Sequence, residues 1–343
     1  MKALMKKEKG VDGVALERVE PPVVKTNEIK VKIHAAGICG TDIHIIHDQY
    51  PSNFPVIMGH EYSGTVVEVG EEVDNFKVGD RVVSATAVVT CGGCSYCNQG
   101  LLMLCDQRKS IGSGVHGAFA EYMVVPANLA YNIPSSVTLD EAALTEPLAC
   151  VVRCMMERGR VDAGDFVLVS GPGTMGMLSL LVAKANGGNV VVIGTSQDSE
   201  RLNLALELGA TAVVNVEEED AEQRLMELTN KKGFDIAVEC AGVSVSANNC
   251  IKLLRKQGML IQMGLFGKKI ELDSDLLLMK EIDYTNGYAS EPTSWERALR
   301  LLEHKHVDVS SLISNKIPIE KWQTAIRLAE QKIGYKTLLL PNI

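Results

Sequence analysis

The sequence predicts an α/β protein in two parts, one mostly β and one a doubly wound parallel sheet, on three observations. Short apolar runs broken by glycine and proline fill residues 1–146, regular strand-then-helix alternation begins near Phe166, and a glycine-rich turn follows the first strand of that alternation. A chain of 343 residues accommodates about two domains, each with its own core.

In the first part, residues 29–33, 62–69 and 81–83 read as strands, with turns at Val78-Gly79-Asp80 and Gly112-Ser113-Gly114. The texture then changes. Apolar residues 166–169 make a strand, 175–185 an apolar helix stopped by Asn186-Gly187-Gly188, and 190–193 a second strand. A helix over 200–208 ends at Gly209, and a strand over 212–216 leads into an acidic amphipathic segment, 217–230. A strand over 235–240, a helix over 245–255 and a strand over 259–263 extend the series. The last fifty-odd residues return to irregular strand and helix.

Composition narrows the function classes. Hydrophobic residues make up 46% and charged ones 22%, and no apolar run is long enough to span a bilayer, so a membrane role is not expected. A formal net charge of -9 argues against a nucleic-acid partner, which requires a concentrated basic face. A small neutral or polar ligand fits better. No charged-then-apolar export segment opens the chain, and a cytoplasmic location is expected.

Cys91, Cys94, Cys97 and Cys105 fall in one short stretch, and thiolates at that spacing close a tetrahedral shell around one zinc ion. Disulfides would be the alternative in a small secreted protein. Nine cysteines, an odd number, in a chain this long favour a structural metal.

The turn after the first strand of the alternating region is Gly171-Pro172-Gly173-Thr174-Met175-Gly176, a G-x-G-x-x-G sequence. Its first glycine permits a tight bend, the second lets a pyrophosphate approach the backbone, and the third lets helix pack on strand. The helix N-terminus then faces the anion. A dinucleotide is therefore expected here. At the end of the second strand, where an acidic residue would bind the ribose hydroxyls of NAD, the chain has Ser196, with Arg201 five residues on to meet a 2′-phosphate. Asp198 opposes that pairing. The balance is NAD(P) with a lean to NADP.

A second metal set lies upstream, in Cys39-Gly40-Thr41-Asp42-Ile43-His44 and Gly59-His60-Glu61-Tyr62. Cysteine, histidine and carboxylate that leave one position for water or substrate suit a catalytic zinc, in contrast to the closed four-thiolate shell. Two zinc ions per chain are expected, one catalytic and one structural.

Together the Gly-His-Glu segment, the four-cysteine lobe and the glycine loop, in that order over essentially the whole chain, resemble the zinc-dependent medium-chain alcohol dehydrogenases. The resemblance implies a GroES-like mostly-β catalytic domain over 1–146, with a zinc lobe at about 88–108. A Rossmann domain over 147–287 and a C-terminal segment over 288–343 that completes the catalytic domain follow. It further implies Cys39 and His60 as zinc ligands, with Glu61 beside them as a ligand or exchanging with water. Glu146, in Thr145-Glu146-Pro147, falls where other alcohol dehydrogenases have a third cysteine and polyol and threonine dehydrogenases have glutamate. The sorbitol dehydrogenase-like branch is the implied one, and Leu265 joins the implied cofactor contacts. Thr41 and His44 resemble that family's proton relay. A homo-oligomer, a tetramer in preference to a dimer, is implied as well.

The chain departs from sorbitol dehydrogenases at Ile45, where they carry tyrosine, and around Gly287-Tyr288-Ala289, which lacks their Arg-Tyr pair. His47, Tyr50 and Tyr288 are other candidate polar contacts. Polyols, sugar acids such as galactonate or gulonate, an amino alcohol such as threonine, and simple secondary alcohols all stay open as substrates. A zinc- and dinucleotide-binding redox sensor is the non-enzymatic alternative. Such a sensor would be expected to lose a ligand or the relay, and Cys39, Thr41, His44, His60, Glu61 and Glu146 are all present.

Overall fold

A computed structural model of the chain describes residues 1–218 and 220–342. Glu219, inside the acidic segment 217–230, and Ile343, at the end of the C-terminal segment, lie outside the described residues. The chain divides into two compact units, Met1–Ala149 with Ser290–Ile343, and Cys150–Ala289. The first crossing, after Ala149, falls within the helix Thr145–Val152.

In the first unit a seven-stranded sheet is built around Glu28–Gly37, which pairs antiparallel with Glu61–Val69, with Tyr122–Pro126 and with Lys336–Leu340. Alternation along Glu28–Gly37 buries Ile29, Val31, Ile33 and Ala35 and leaves Lys32 and His34 exposed, as a period of two requires. Each isoleucine or valine so removed from water stabilises the fold by about 1.5–3 kcal/mol. Register then decides what meets at the end of that strand. Gly37 lies opposite both Glu61 and Leu338, so the chain after Gly37, the start of Glu61–Val69 and Lys336 come together at one corner.

The second unit is a six-stranded parallel sheet in the order Ala212–Asn215, Asn189–Gly194, Phe166–Ser170, Phe234–Glu239, Leu254–Gln262, Asp283–Asn286. Val190, Val191 and Val192 are fully buried in succession, the pattern of a strand covered on both faces. The helix expected over 245–255 ends at Leu253, and Leu254 and Arg255 already belong to the next strand. The cause is the sheet: Leu254 pairs with Phe234, so backbone pairing takes over where apolar periodicity alone would have continued the helix. Among the described residues, no helix is long and apolar enough to cross a membrane.

Candidate active site

Cys39 caps the helix Gly40–Ile46, its backbone N–H donating to Asp42 Oδ2 at 2.9 Å. His60 and Glu61 lie at the start of the neighbouring strand Glu61–Val69. Ligand atoms of Cys39, His60 and Glu61 all lie within 4.8 Å of one another, a sulfur, a nitrogen and an oxygen at a separation that one metal ion can bridge. Gly59 enters this segment with φ +86°, and a Cβ there would stand 2.3 Å from the Phe119 ring. Only glycine allows that approach.

Two residues that sequence reasoning did not single out complete the surroundings. Asp42 is fully buried and places Oδ1 3.6 Å from His60 Nδ1. Burial opposes a charge on His60, yet the Asp42 carboxylate and Cys39 outweigh it and hold the imidazole well above its usual range. Lys336 is the second. Its ammonium donates to both Glu61 oxygens, at 2.9 and 2.6 Å, and to the Ile38 carbonyl at 3.0 Å. Glu61 and Lys336 are 1% and 3% exposed, so this is a buried ion pair. Burial lowers the Lys336 pKa, but Glu61 above all, then Cys39 and Glu146, raise it beyond the ordinary lysine value. Gly37 makes room for the pair, since a Cβ there would sit 2.2 Å from Glu61 Oε2.

Glu146 is buried in the first turn of Thr145–Val152 and contributes its charge to Lys336, but it is outside the three-residue ligand group. Thr41 Oγ1 lies 3.7 Å from Cys39 Sγ, and His44, one turn on, has Nδ1 2.8 Å from Gln49 Oε1. Of the other polar candidates, His47 Nε2 is 2.8 Å from Glu330, Tyr50 packs on the core and Tyr288 is largely exposed in the second unit. Ile45 is fully buried.

Sulfur atoms of Cys91, Cys94, Cys97 and Cys105 also lie within 4.8 Å of one another. Backbone N–H groups point at them: Cys94 donates to Cys91 Sγ at 3.3 Å, Cys97 to Cys94 Sγ at 3.4 Å and Cys91 to Cys105 Sγ at 3.3 Å. The N–H groups of Gly93 and Cys94 pull the Cys91 thiol down to about 6. None of the cysteines is in a disulfide. Four thiols so oriented match the donor chemistry of a structural zinc.

In the second unit the glycine turn has the tight sterics that its spacing requires at Gly171 and Gly176. Gly171 has φ +96° and a Cβ there would come 2.8 Å from Ala241 N, while a Cβ on Gly176 would come 2.0 Å from the Gly171 carbonyl. A Cβ on Gly173 would meet nothing within 4 Å, so that backbone faces open space through which an anion can reach it. Thr174 and Met175 start the helix Thr174–Ala185. Gly194 ends the second strand 3.1 Å, measured from its would-be Cβ, from Pro172, which joins the turn to the segment carrying Ser196. Ser196 and Arg201 are at that strand end, Arg201 3.8 Å from Asp198 Oδ1. Leu265 is exposed beside Gly242.

A corner of thiol, imidazole and carboxylate in one unit, with a dinucleotide-type glycine turn on a parallel sheet in the other, defines a metal- and nucleotide-dependent oxidoreductase. The family model of the alcohol dehydrogenase GroES-like domain matches residues 25–135, and that of the zinc-binding dehydrogenase matches 174–304. The chain is 38% identical to a sorbitol dehydrogenase of Halalkalibacterium halodurans, over 99% of each. It is 35% identical to a D-arabitol-phosphate dehydrogenase of Enterococcus avium, over 100% of this chain and 98% of that one. A zinc-binding dehydrogenase from Sinorhizobium meliloti, solved with NADP bound, has a TM-score of 0.91 at 29% identity over 99% of each chain. The chain belongs to the zinc-dependent medium-chain alcohol dehydrogenase family, and is an enzyme of that class.

Proposed function

We propose that the enzyme oxidises a secondary alcohol of a polyol or sugar-derived substrate with NAD(P) as hydride acceptor. The observation that carries this reading is the meeting of Cys39, His60 and Glu61 at one partly buried corner, in a chain whose relatives are named for sorbitol and D-arabitol phosphate. Cys39 and His60, with Glu146 and Glu61 nearby, are assigned to a catalytic zinc, and Cys91, Cys94, Cys97 and Cys105 to a structural one. When bound, the zinc supplies Lewis-acid polarisation of the substrate hydroxyl and the nicotinamide takes the hydride.

The chain's own groups do the rest. Asp42 sets a buried carboxylate beside His60 Nδ1 and favours that face of the ring electrostatically. Lys336 balances the charge of Glu61. Oxidation of the alcohol releases one proton for each hydride, and Thr41 and His44, on one face of Gly40–Ile46, are assigned its path outward. Gly171, Gly173, Thr174, Met175 and Gly176 are assigned to the pyrophosphate, and Ser196, Arg201 and Leu265 to the rest of the dinucleotide. The working form is a cytoplasmic homo-oligomer, a tetramer in preference to a dimer.

A panel of polyols, polyol phosphates, sugar acids, threonine and simple secondary alcohols, followed by nicotinamide absorbance with both cofactors, tests the substrate class. The polyol group is expected to lead in kcat/KM by at least roughly tenfold, the scale a site built for substrate hydroxyls achieves. Turnover confined to threonine or to simple alcohols would replace this reading, and binding without any turnover would favour the redox sensor.

A further inference from the structure

The end of the strand Asn189–Gly194 is where a Rossmann-type site reads the 2′ position of the adenosine ribose, and there the sequence offers only the neutral Ser196. The structure brings a carboxylate to that position from the adjacent strand. Gly194 and Asn215 are register partners in parallel strands, and Val216 N–H donates to the Gly194 carbonyl at 2.9 Å, so the chain leaves Ala212–Asn215 alongside Ser196. Glu217, itself exposed, then reaches back over Ser196. Its Oε2 accepts the Ser196 backbone N–H at 3.0 Å, and its own N–H is held by Asn215 Oδ1 at 3.1 Å. Asn215 Nδ2 donates to Ser196 Oγ at 3.0 Å, so both polar groups of Ser196 are engaged from that side.

We propose that Glu217 is the residue that reads the ribose 2′ position, and that it selects NAD over the 2′-phosphorylated dinucleotide. A 2′-hydroxyl can donate to the Glu217 carboxylate, the role usually filled by an acid on the preceding strand. A 2′-phosphate carries nearly two negative charges and has no proton to offer that acceptor. It would compete with Glu217 for the Ser196 N–H and would stand between two carboxylates, since Asp198 flanks the other side and accepts the Thr195 N–H at 3.0 Å. Arg201, the cation that the sequence places there for a phosphate, is drawn to Asp198. Interactions with Ser196 hold Glu217 below the usual carboxylate range, its side-chain hydroxyl first and then its backbone N–H, so the carboxylate is ionised at neutral pH. The lean to NADP expected from Ser196 and Arg201 is thereby reversed.

The proposal rests on dinucleotide binding by the glycine turn, and the test separates the two. NAD and NADP are titrated calorimetrically into the intact enzyme and into E217Q and E217S, alongside KM for each cofactor. The wild-type enzyme is expected to bind NAD more tightly, and both variants to shift the NAD-to-NADP affinity ratio toward NADP by roughly ten- to a hundredfold, the scale of removing one like charge beside a phosphate. A wild-type preference for NADP, or a ratio moved less than about twofold by both variants, would overturn the assignment of Glu217. Failure of the wild-type protein to bind either dinucleotide would overturn the underlying cofactor reading instead.

Discussion

In the lobe, Cys91, Cys94, Cys97 and Cys105 come from one short stretch and are organised by their own backbone, whereas Cys39, His60 and Glu61 meet only because two strands and a helix cap share a corner. The lobe's sulfurs take N–H groups from within the lobe, and Cys91 is exposed. The other corner rests on fully buried Asp42 and on an almost fully buried Glu61–Lys336 pair. A site made locally can be lost locally. A site made by register and a buried ion pair is tied to the stability of its whole unit.

The largest effect should come from His60→Ala. Removing the imidazole assigned to the catalytic zinc should lower kcat/KM by roughly a thousandfold or more, with dinucleotide affinity retained in calorimetry. Undiminished turnover would break the assignment of the partly buried corner as the chemical one. Lys336→Met comes next and acts on stability. It leaves Glu61 buried without its counter-charge, which should cost about 3–5 kcal/mol in denaturant unfolding, with K336R recovering part of the loss. Because the folded-state pKa of Lys336 is raised, its contribution is fully present below the ordinary lysine value of 10.5 and is lost as pH rises through the higher folded value. The gap between wild type and K336M should therefore stay constant from neutral pH to about 10 and close only above it. An unchanged midpoint in K336M would show that this corner is no more coupled to the unit than the lobe is.

The smallest effect on chemistry is expected for Cys94→Ser. Elemental analysis should find zinc reduced from about two to about one per chain, with a fall of several degrees in Tm and kcat altered less than about threefold. A kcat loss as large as that of H60A would erase the contrast between the two sites.

The parts legible in the sequence were those whose physics is local. Repeating β-then-α periodicity announced the parallel sheet, because burial on both faces leaves unbroken apolar runs such as Val190–Val191–Val192. The glycine spacing announced the turn, because backbone conformation and steric room at Gly171 and Gly176 admit no side chain. The helix starting at Ser244 ends slightly before its apolar periodicity does, since strand pairing at Leu254 is a property of the neighbour Phe234.

Lys336 shows why other features were not legible: it lies 275 residues from Glu61, and nothing in its local sequence sets it apart from a surface lysine until strand register puts its ammonium against that carboxylate. Glu217 differs in staying exposed, but its partner is equally invisible in sequence until the adjacent parallel strand places it over Ser196. Sequence by itself determined the clustering of the four cysteines and the shape of the glycine turn, both of which depend on spacing within a few residues. Tertiary structure alone decided which charges face which, because the energy of a buried carboxylate or ammonium depends on a partner that only register and burial can deliver.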